Sequence, residues 1–470
     1  MISLSETEID PDDTAHQTML RNLQGNILKP HGRLYVRLLL LAFQGDRQLL
    51  PNRLRQATTL RPTSAWEQQL ENQQHKSGQR TGTFRSFFLT ARGMGALGLL
   101  LTDLDRHPGG AALFKRGMVA AAGDLGDDIG AWDSSFRSPL DAMVLLADDD
   151  LTQLDRASAD VLTQLRGFAT CTAQEAGQTL FDSDHRRIEH FGHVDGRSQP
   201  VFFKADLQQE RAAGTESWDP AAPLGLVLAR DSFTGTPDCF GSYLVLRKLE
   251  QNVLRYHELL SELGKQLPAV PQELLDAWVV GRFTDGTPVD LSATRSQPPA
   301  PDPAANDFVF ANDLDGARCP LQAHLRKANP RGGTVGLGTE LDSKDLGEEK
   351  MHRIVRRGIP YGARQGQQQA RPALLDRPAT GVGLLFMCFQ SDIANQFAFI
   401  QQRWANNREF QVHGAGFDTI IGSSGNANFT PQKWSSAWNT TPDKSFAFGE
   451  VVKVKGGEFF FAPSLAFFAP

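Results

Sequence analysis

With 470 residues, 48 basic and 54 acidic side chains and a net charge of −6, the chain has no excess of positive charge with which to attract nucleic acid. Its 40% hydrophobic and 22% charged content is that of an ordinary globular protein, and its longest apolar runs, Leu38–Phe43 and Val382–Phe389, are too short to cross a bilayer. Neither nucleic acid nor a membrane is therefore expected as a partner.

The opening MISLSETEIDPDDT is polar and acidic. It lacks the basic n-region, apolar h-region or twin arginine of an export signal, so a cytoplasmic or otherwise unexported protein is expected. Residues 1–20 read as a flexible arm. The turn-rich segment LQGNILKPHGR (Leu23–Arg33) then leads into Leu34–Phe43, whose near-continuous apolar character predicts a buried strand. Residues 47–82 read as helical. Ser86–Thr90 reads as a strand followed by a helix over Gly93–Leu101, and Asp141–Asp148 as a strand. Behind it Leu151, Leu154, Ala157, Val161 and Leu162 share one helical face, with Asp149 or Asp150 as the cap.

The alternation returns in the second half of the chain. Gly241–Lys248 is strand-like and feeds a helix carrying Val253, Leu254, His257, Leu260 and Leu263. Val382–Phe389 predicts a fully apolar strand. Ile393, Phe397, Ile400 and Trp404 then form a helical stripe, with Ser391 or Asp392 as the cap. Val451–Phe461 reads as a hairpin turning at Gly456-Gly457. Ala213–Leu224 and the proline-rich Ser296–Ala305 are loops. Strands feeding helices in both halves argue for two α+β domains of related design, although no strict repeat is visible.

Thirty Phe against four Tyr suits dry cores and apolar cofactor pockets, because Phe needs no polar partner. The scattered Cys171, Cys239, Cys319 and Cys388 contain no C-x-x-C pair, so reduced thiols are expected. CPLQAHLRKANPR (Cys319–Arg331) sets His324 between an apolar run and a basic exit with Arg326, Lys327 and Arg331. An imidazole there serves as a core residue, a general base or a metal ligand. Haem needs one neutral imidazole on its iron and cations near its propionates, and this stretch has both. In FGHVDGRSQP, Asp195 is either a turn former or a carboxylate aimed into a pocket. MHRIVRRGIPYG holds three arginines around two apolar residues, a solvated helix end or a fixed guanidinium. Asp418 in FDTIIG is a turn residue or the carboxylate that receives the second N–H of a metal-bound histidine. Asp184, His185, Glu189, His190 and His193 form a competing non-haem cluster, but their spacing matches no helix-face metal motif.

In this order the segments LQGNILKPHGR, FGHVDGRSQP, CPLQAHLRKANPR, HRIVRRGIPYG, GLLFMCFQSDIANQFAFIQQRW, FDTIIG and FFFAPSLAFF resemble those of the dye-decolourising peroxidases, over nearly the whole chain. The resemblance implies two ferredoxin-like α+β domains with antiparallel sheets packed against helices, over 21–212 and 224–470, with haem in the C-terminal one. It implies haem b, iron protoporphyrin IX, held by His324 with Asp418 behind it. Arg326 and Arg331 are expected near the cofactor, and Leu384 and Phe386 as walls of the pocket. Asp195 becomes the distal acid–base and Arg356 the distal arginine, with Arg353 and Arg357 as alternatives in the same segment. His193 stands where the motif often carries an aromatic.

The implied activity is oxidation of dyes, phenols or other aromatic donors by hydrogen peroxide through a ferryl intermediate. The alternative is a haem carrier or sensor without peroxidase turnover. A carboxylate base predicts activity that persists into acid, unlike a histidine base. Trp404, Trp434, Trp438, Tyr243 and Tyr361 are available as electron relays or as packing aromatics.

Overall fold

The computed structural model describes residues 2–76, 81–99, 110–234, 238–296, 305–336, 343–365, 376–423 and 431–469. The run YVRLLLLAF forms β1 (Tyr35–Phe43), in which Leu38 to Leu41 are all fully buried. A strand without polar alternation needs cover on both faces. β1 accordingly lies inside the sheet, antiparallel to both β3 (Ala142–Asp148) and β4 (Ala169–Gln178). β2 (Phe84–Leu89) pairs with β3, so the first half runs β2-β3-β1-β4.

The second half repeats that order. β6 (Phe240–Gln251) lies between β9 (Gly383–Gln390) and β10 (Val452–Ala462), and β8 (Ile359–Tyr361) pairs with β9. The spatial order β8-β9-β6-β10 is again second, third, first and fourth strand, the ferredoxin-like arrangement. Short strands β5 (Ala229–Arg230) and β7 (Val355–Arg356) pair with β6 and β9. The halves join in one ten-stranded sheet where Phe461 of β10 faces Leu89 of β2. Its two edges also meet, since a Cβ on Gly177 of β4 would stand 2.5 Å from Ile359 of β8.

Helices cover the sheet where the sequence caps them. Asp150 accepts from Thr152 N and Gln153 N to start Leu151–Gln164, which buries Leu154, Ala157 and Val161. Asn252 caps Val253–Gln266 through Arg255 N. That helix is rotated from the expected stripe, with Tyr256 buried and Leu254 exposed. After β2, the helix is Ala91–Ala96 and ends at Leu97; Leu101 lies outside the described residues, as does most of the proline-rich Ser296–Ala305. Ile393, Phe397, Ile400 and Trp404 are buried as the spacing predicts. Regular helix there covers only Phe397–Phe399 and widens into a π-helical stretch, Ile400–Ala405. Asp392 closes a preceding turn through Ala394 N and Asn395 N, while Gln390 Oε1 takes the N–H of Phe397.

Two expectations are corrected. The first twenty residues are packed rather than free: Ile9 is fully buried and bridges to Phe203, and the helix Thr14–Asn22, capped by Asp13, buries Met19 and Leu20. A few apolar side chains are enough to dock an otherwise polar segment. Second, Gly456-Gly457 is no turn. β10 continues through it with a register shift between Val454 and Gly456. Gly456 has φ +147, and a Cβ there would stand 2.3 Å from Phe136; one on Gly457 would meet Leu246 O at 2.4 Å. The pair permits close approach of neighbouring groups, a need that looks like a turn in sequence.

Among the aromatics considered as relays, Tyr243, Trp404, Trp434 and Tyr361 are buried and Trp438 is half-buried. Gly456→Ala should destabilise the protein by about 1–3 kcal/mol through overpacking against Phe136, seen as a lower denaturant midpoint. An unchanged midpoint would mean that Phe136 yields freely.

Candidate active site

A cavity of about 990 Å³ lies beside β6, β7 and β9, roofed by the connection between the halves. His324, Asp195, Arg356, Leu384 and Phe386 all line it. Leu384 and Phe386 alternate along β9, so both side chains leave the same face of the strand.

His324 opens the short helix His324–Ala328. Its Nδ1 lies 2.9 Å from Asp418 Oδ2 and 3.2 Å from Oδ1. Asp418 is fully buried and fixed in its turn, with Oδ1 also accepting from Ile420 N and Ile421 N at 2.8 Å. An ionised carboxylate only accepts, so Nδ1 carries the hydrogen and the lone pair stands on Nε2. That nitrogen is left for the cavity.

Asp195 sits in a loop held by its neighbours. Gly192 and Gly196 adopt φ +98 and +86, and Ser198, which is not glycine, adopts +62. Asp195 Oδ1 accepts from Gly196 N at 2.6 Å and lies 3.3 Å from Arg356 Nη1. It is therefore a turn former and a cavity carboxylate at once. Arg356, on β7, also donates from Nη2 to Arg197 O at 2.6 Å, and its backbone N–H reaches Gln199 Oε1 at 3.0 Å.

The alternatives to Arg356 point elsewhere. Arg357 donates to the carbonyls of Asn26, Ile27 and Arg356, tying down the LQGNILKPHGR segment. Arg353 lines the cavity but is bound to Lys350 O and Ala221 O, and burial pulls it down to about 10.

Arg326 and Arg331 do not line the cavity. Arg326 is 1% exposed and bonds Asp313 Oδ2, Asp313 O, Cys319 O and Gln411. Arg331 is 0% exposed, bonds Asn306 O, Phe308 O and Ser198 Oγ, and lies over the rings of Trp218 and Phe308. Both guanidinium groups fasten irregular backbone whose carbonyls have no ladder partner. The cavity's cations are instead Arg197, Arg247, Arg282, Arg353, Arg356 and Lys453. Of these, Arg197 stands in the DGRSQP motif, whereas Arg247, Arg282 and Lys453 had no motif to mark them.

The histidine cluster disperses. His185 is exposed. His190 Nε2 meets Tyr361 O at 2.8 Å, and burial lowers its pKa to about 4. His193 Nε2 lies 3.2 Å from Asp276 Oδ1. Among the described residues no three His, Cys, Asp or Glu converge to hold a metal ion. Asp276 and Tyr256, which complete the surroundings of His193, carried no signal in sequence because they belong to ordinary amphipathic helices.

Residues 338–425 match the family model described as Dyp-type peroxidase, C-terminal. The chain is 38% identical over 463 residues to the multifunctional dye peroxidase DyP2 of Amycolatopsis sp., covering 96% of this chain and 95% of that protein. It is 31% identical over 396 residues to the dye-decolorizing peroxidase msp1 of Mycetinis scorodonius, covering 80% and 74%. A solved DyP-type peroxidase of Anabaena sp. superimposes with a TM-score of 0.88 at 36% identity, over 99% of this chain and 97% of that one.

Arg331→Met should leave the Phe308 carbonyl unpaired, while Asn306 O keeps the Phe308 N–H at 3.1 Å, at about 1–3 kcal/mol for the buried group left without a donor. A lowered denaturant midpoint is expected. Weaker ligand binding at unchanged stability would instead mark Arg331 as a direct ligand contact.

Proposed function

The chain belongs to the dye-decolourising peroxidase family, and from that premise we propose that it holds haem b on His324 and activates hydrogen peroxide with Asp195 and Arg356. One observation carries this reading: the His324 imidazole, anchored through Nδ1 on Asp418, shares a cavity with the Asp195–Arg356 pair.

The residues present fit such a group. His324 offers an Nε2 lone pair to iron, and a carboxylate on Nδ1 raises ligand basicity. Leu384, Phe386 and Ile354 give the cavity an apolar wall. Arg197 and Lys453, which line the cavity, can meet the carboxylates of an anionic macrocycle. Arg247 Nη1, buried in the cavity wall, has no acceptor among the described residues, as suits a site built for an anion.

When bound, the haem would supply a redox-active iron and the two electrons that cleave the peroxide O–O bond. The protein moves the proton. Asp195 accepts it from one peroxide oxygen and returns it to the other, which departs as water. Arg356 offsets negative charge on that departing oxygen and holds the carboxylate that serves it. Asp418 keeps the His324 ring in one orientation throughout.

The reductant is an aromatic donor such as a dye or a phenol. The support is chemical and comparative: relatives carry the name dye-decolorizing peroxidase, and a solved one at 28% identity is in complex with 2,6-dimethoxyphenol.

The haem-supplemented protein should show a Soret band, which His324→Ala should weaken or displace. Asp195→Asn should keep the band but slow the reaction with peroxide by about 10²–10⁴-fold, measured by stopped flow. An undiminished rate in Asp195→Asn would overturn the assignment.

A further inference from the structure

The loop carrying Asp195 is fastened at both ends by side chains. Downstream, the fastenings are guanidinium contacts: Ser198 Oγ accepts from Arg282 and Arg331 at 2.8 Å, and Arg356 bonds Arg197 O. Upstream, the fastening can titrate. His193 Nε2 lies 3.2 Å from Asp276 Oδ1, and the Tyr256 hydroxyl donates to that same oxygen at 2.5 Å. Asp276 belongs to the helix Gln272–Val280 and Tyr256 to Val253–Gln266, so both are anchored in the second half. The Phe191 ring stacks on Tyr256 at 4.2 Å. The Glu189 carboxylate takes the N–H groups of Phe191 and His193, both at 2.9 Å, and a hydrogen bond from Gln251. His193 is 4% exposed, lines the cavity and has no part in the chemistry assigned above.

We propose that His193 is a positioning residue for Asp195, and that its ion pair with Asp276 sets the alkaline limit of peroxide activation. The proposal rests on the reading of Asp195 as the acid–base group.

The charges around His193 support an imidazolium. Burial alone would lower its pKa, but the charge and hydrogen bond of Asp276, with Glu189 behind them, raise it above the ordinary value. Asp276 is correspondingly lowered by His193 despite its own burial. The other titratable groups are the Tyr256 phenol, pushed up by burial, and His257, which interacts with Asp276 and is itself lowered by burial. A histidine raised in the folded state stabilises fully below its unfolded pKa and loses that contribution as pH rises through the folded value. The upstream fastening therefore loosens on the alkaline side.

Two measurements on the haem-loaded, full-length protein test this. In hydrogen exchange, His193→Ala should speed the amides of Phe191–Ser198 by about 10-fold, with β1 and β3 unchanged, as expected for local opening. In stopped flow, the wild-type rate with peroxide should fall on the alkaline limb. His193→Gln, which keeps a donor without the charge, and Asp276→Asn should flatten that limb and lower the neutral rate by about 10-fold, as misplacement of a catalytic group does. Unchanged exchange in the loop, or an alkaline limb identical in wild type and both variants, overturns the proposal. If Asp195→Asn reacts at the wild-type rate, the reading of Asp195 fails instead; the exchange measurement does not depend on it.

Discussion

The site depends on how long irregular connections satisfy their backbone carbonyls. Among the described residues between β6 and β7 there is little ladder pairing, and a buried carbonyl without a donor is costly. Arginine answers this because its planar fork offers five N–H groups. Arg282 bonds Gly286 O and Ala305 O, Arg331 bonds Asn306 O and Phe308 O, and Arg326 bonds Asp313 O and Cys319 O. Lys327 gives its ammonium to Asn407 O, and burial draws it down to about 7. These cations hold the segment that presents His324 and the loop that presents Asp195.

The same chemistry explains what the sequence did and did not make legible. A guanidinium can donate to a carboxylate or to a backbone carbonyl, so a basic run after His324 does not itself say which it meets. Direction decides it, and direction comes from packing. Arg356 and Arg357 show this in adjacent positions. Successive side chains on a strand leave opposite faces, so one reaches Asp195 and the other reaches Asn26 and Ile27. The pairing of His324 with Asp418, 94 positions apart, was visible only through motif resemblance. Asp276 and Tyr256 were invisible, because a polar residue on an amphipathic helix looks like any other helical position.

For the fold, the alternation of apolar strands and capped helices was readable, and Asp150 capped where its position suggested. The shared 2-3-1-4 order of the ferredoxin-like arrangement was legible only through the family resemblance, because strand neighbours are chosen by packing across the whole sheet. Gly456-Gly457 misled for a local reason. Glycine marks both a turn and a close approach, and only the presence of Phe136 against the strand separates the two.

The sheet also constrains the order in which the protein can be completed during synthesis. β10 is the last of the ten strands along the chain, yet it lies between β6 and β2 and supplies the pairing that joins the halves. Until it emerges, β6 and β2 both present unpaired backbone, and the first half cannot be joined to the second through the sheet. The loop with Asp195 is made long before, but Arg282, Arg331 and Arg356, which hold it, come later. A ribosome pausing ahead of β10 would therefore expose two open strand edges at once, the state most prone to pairing with a neighbouring chain.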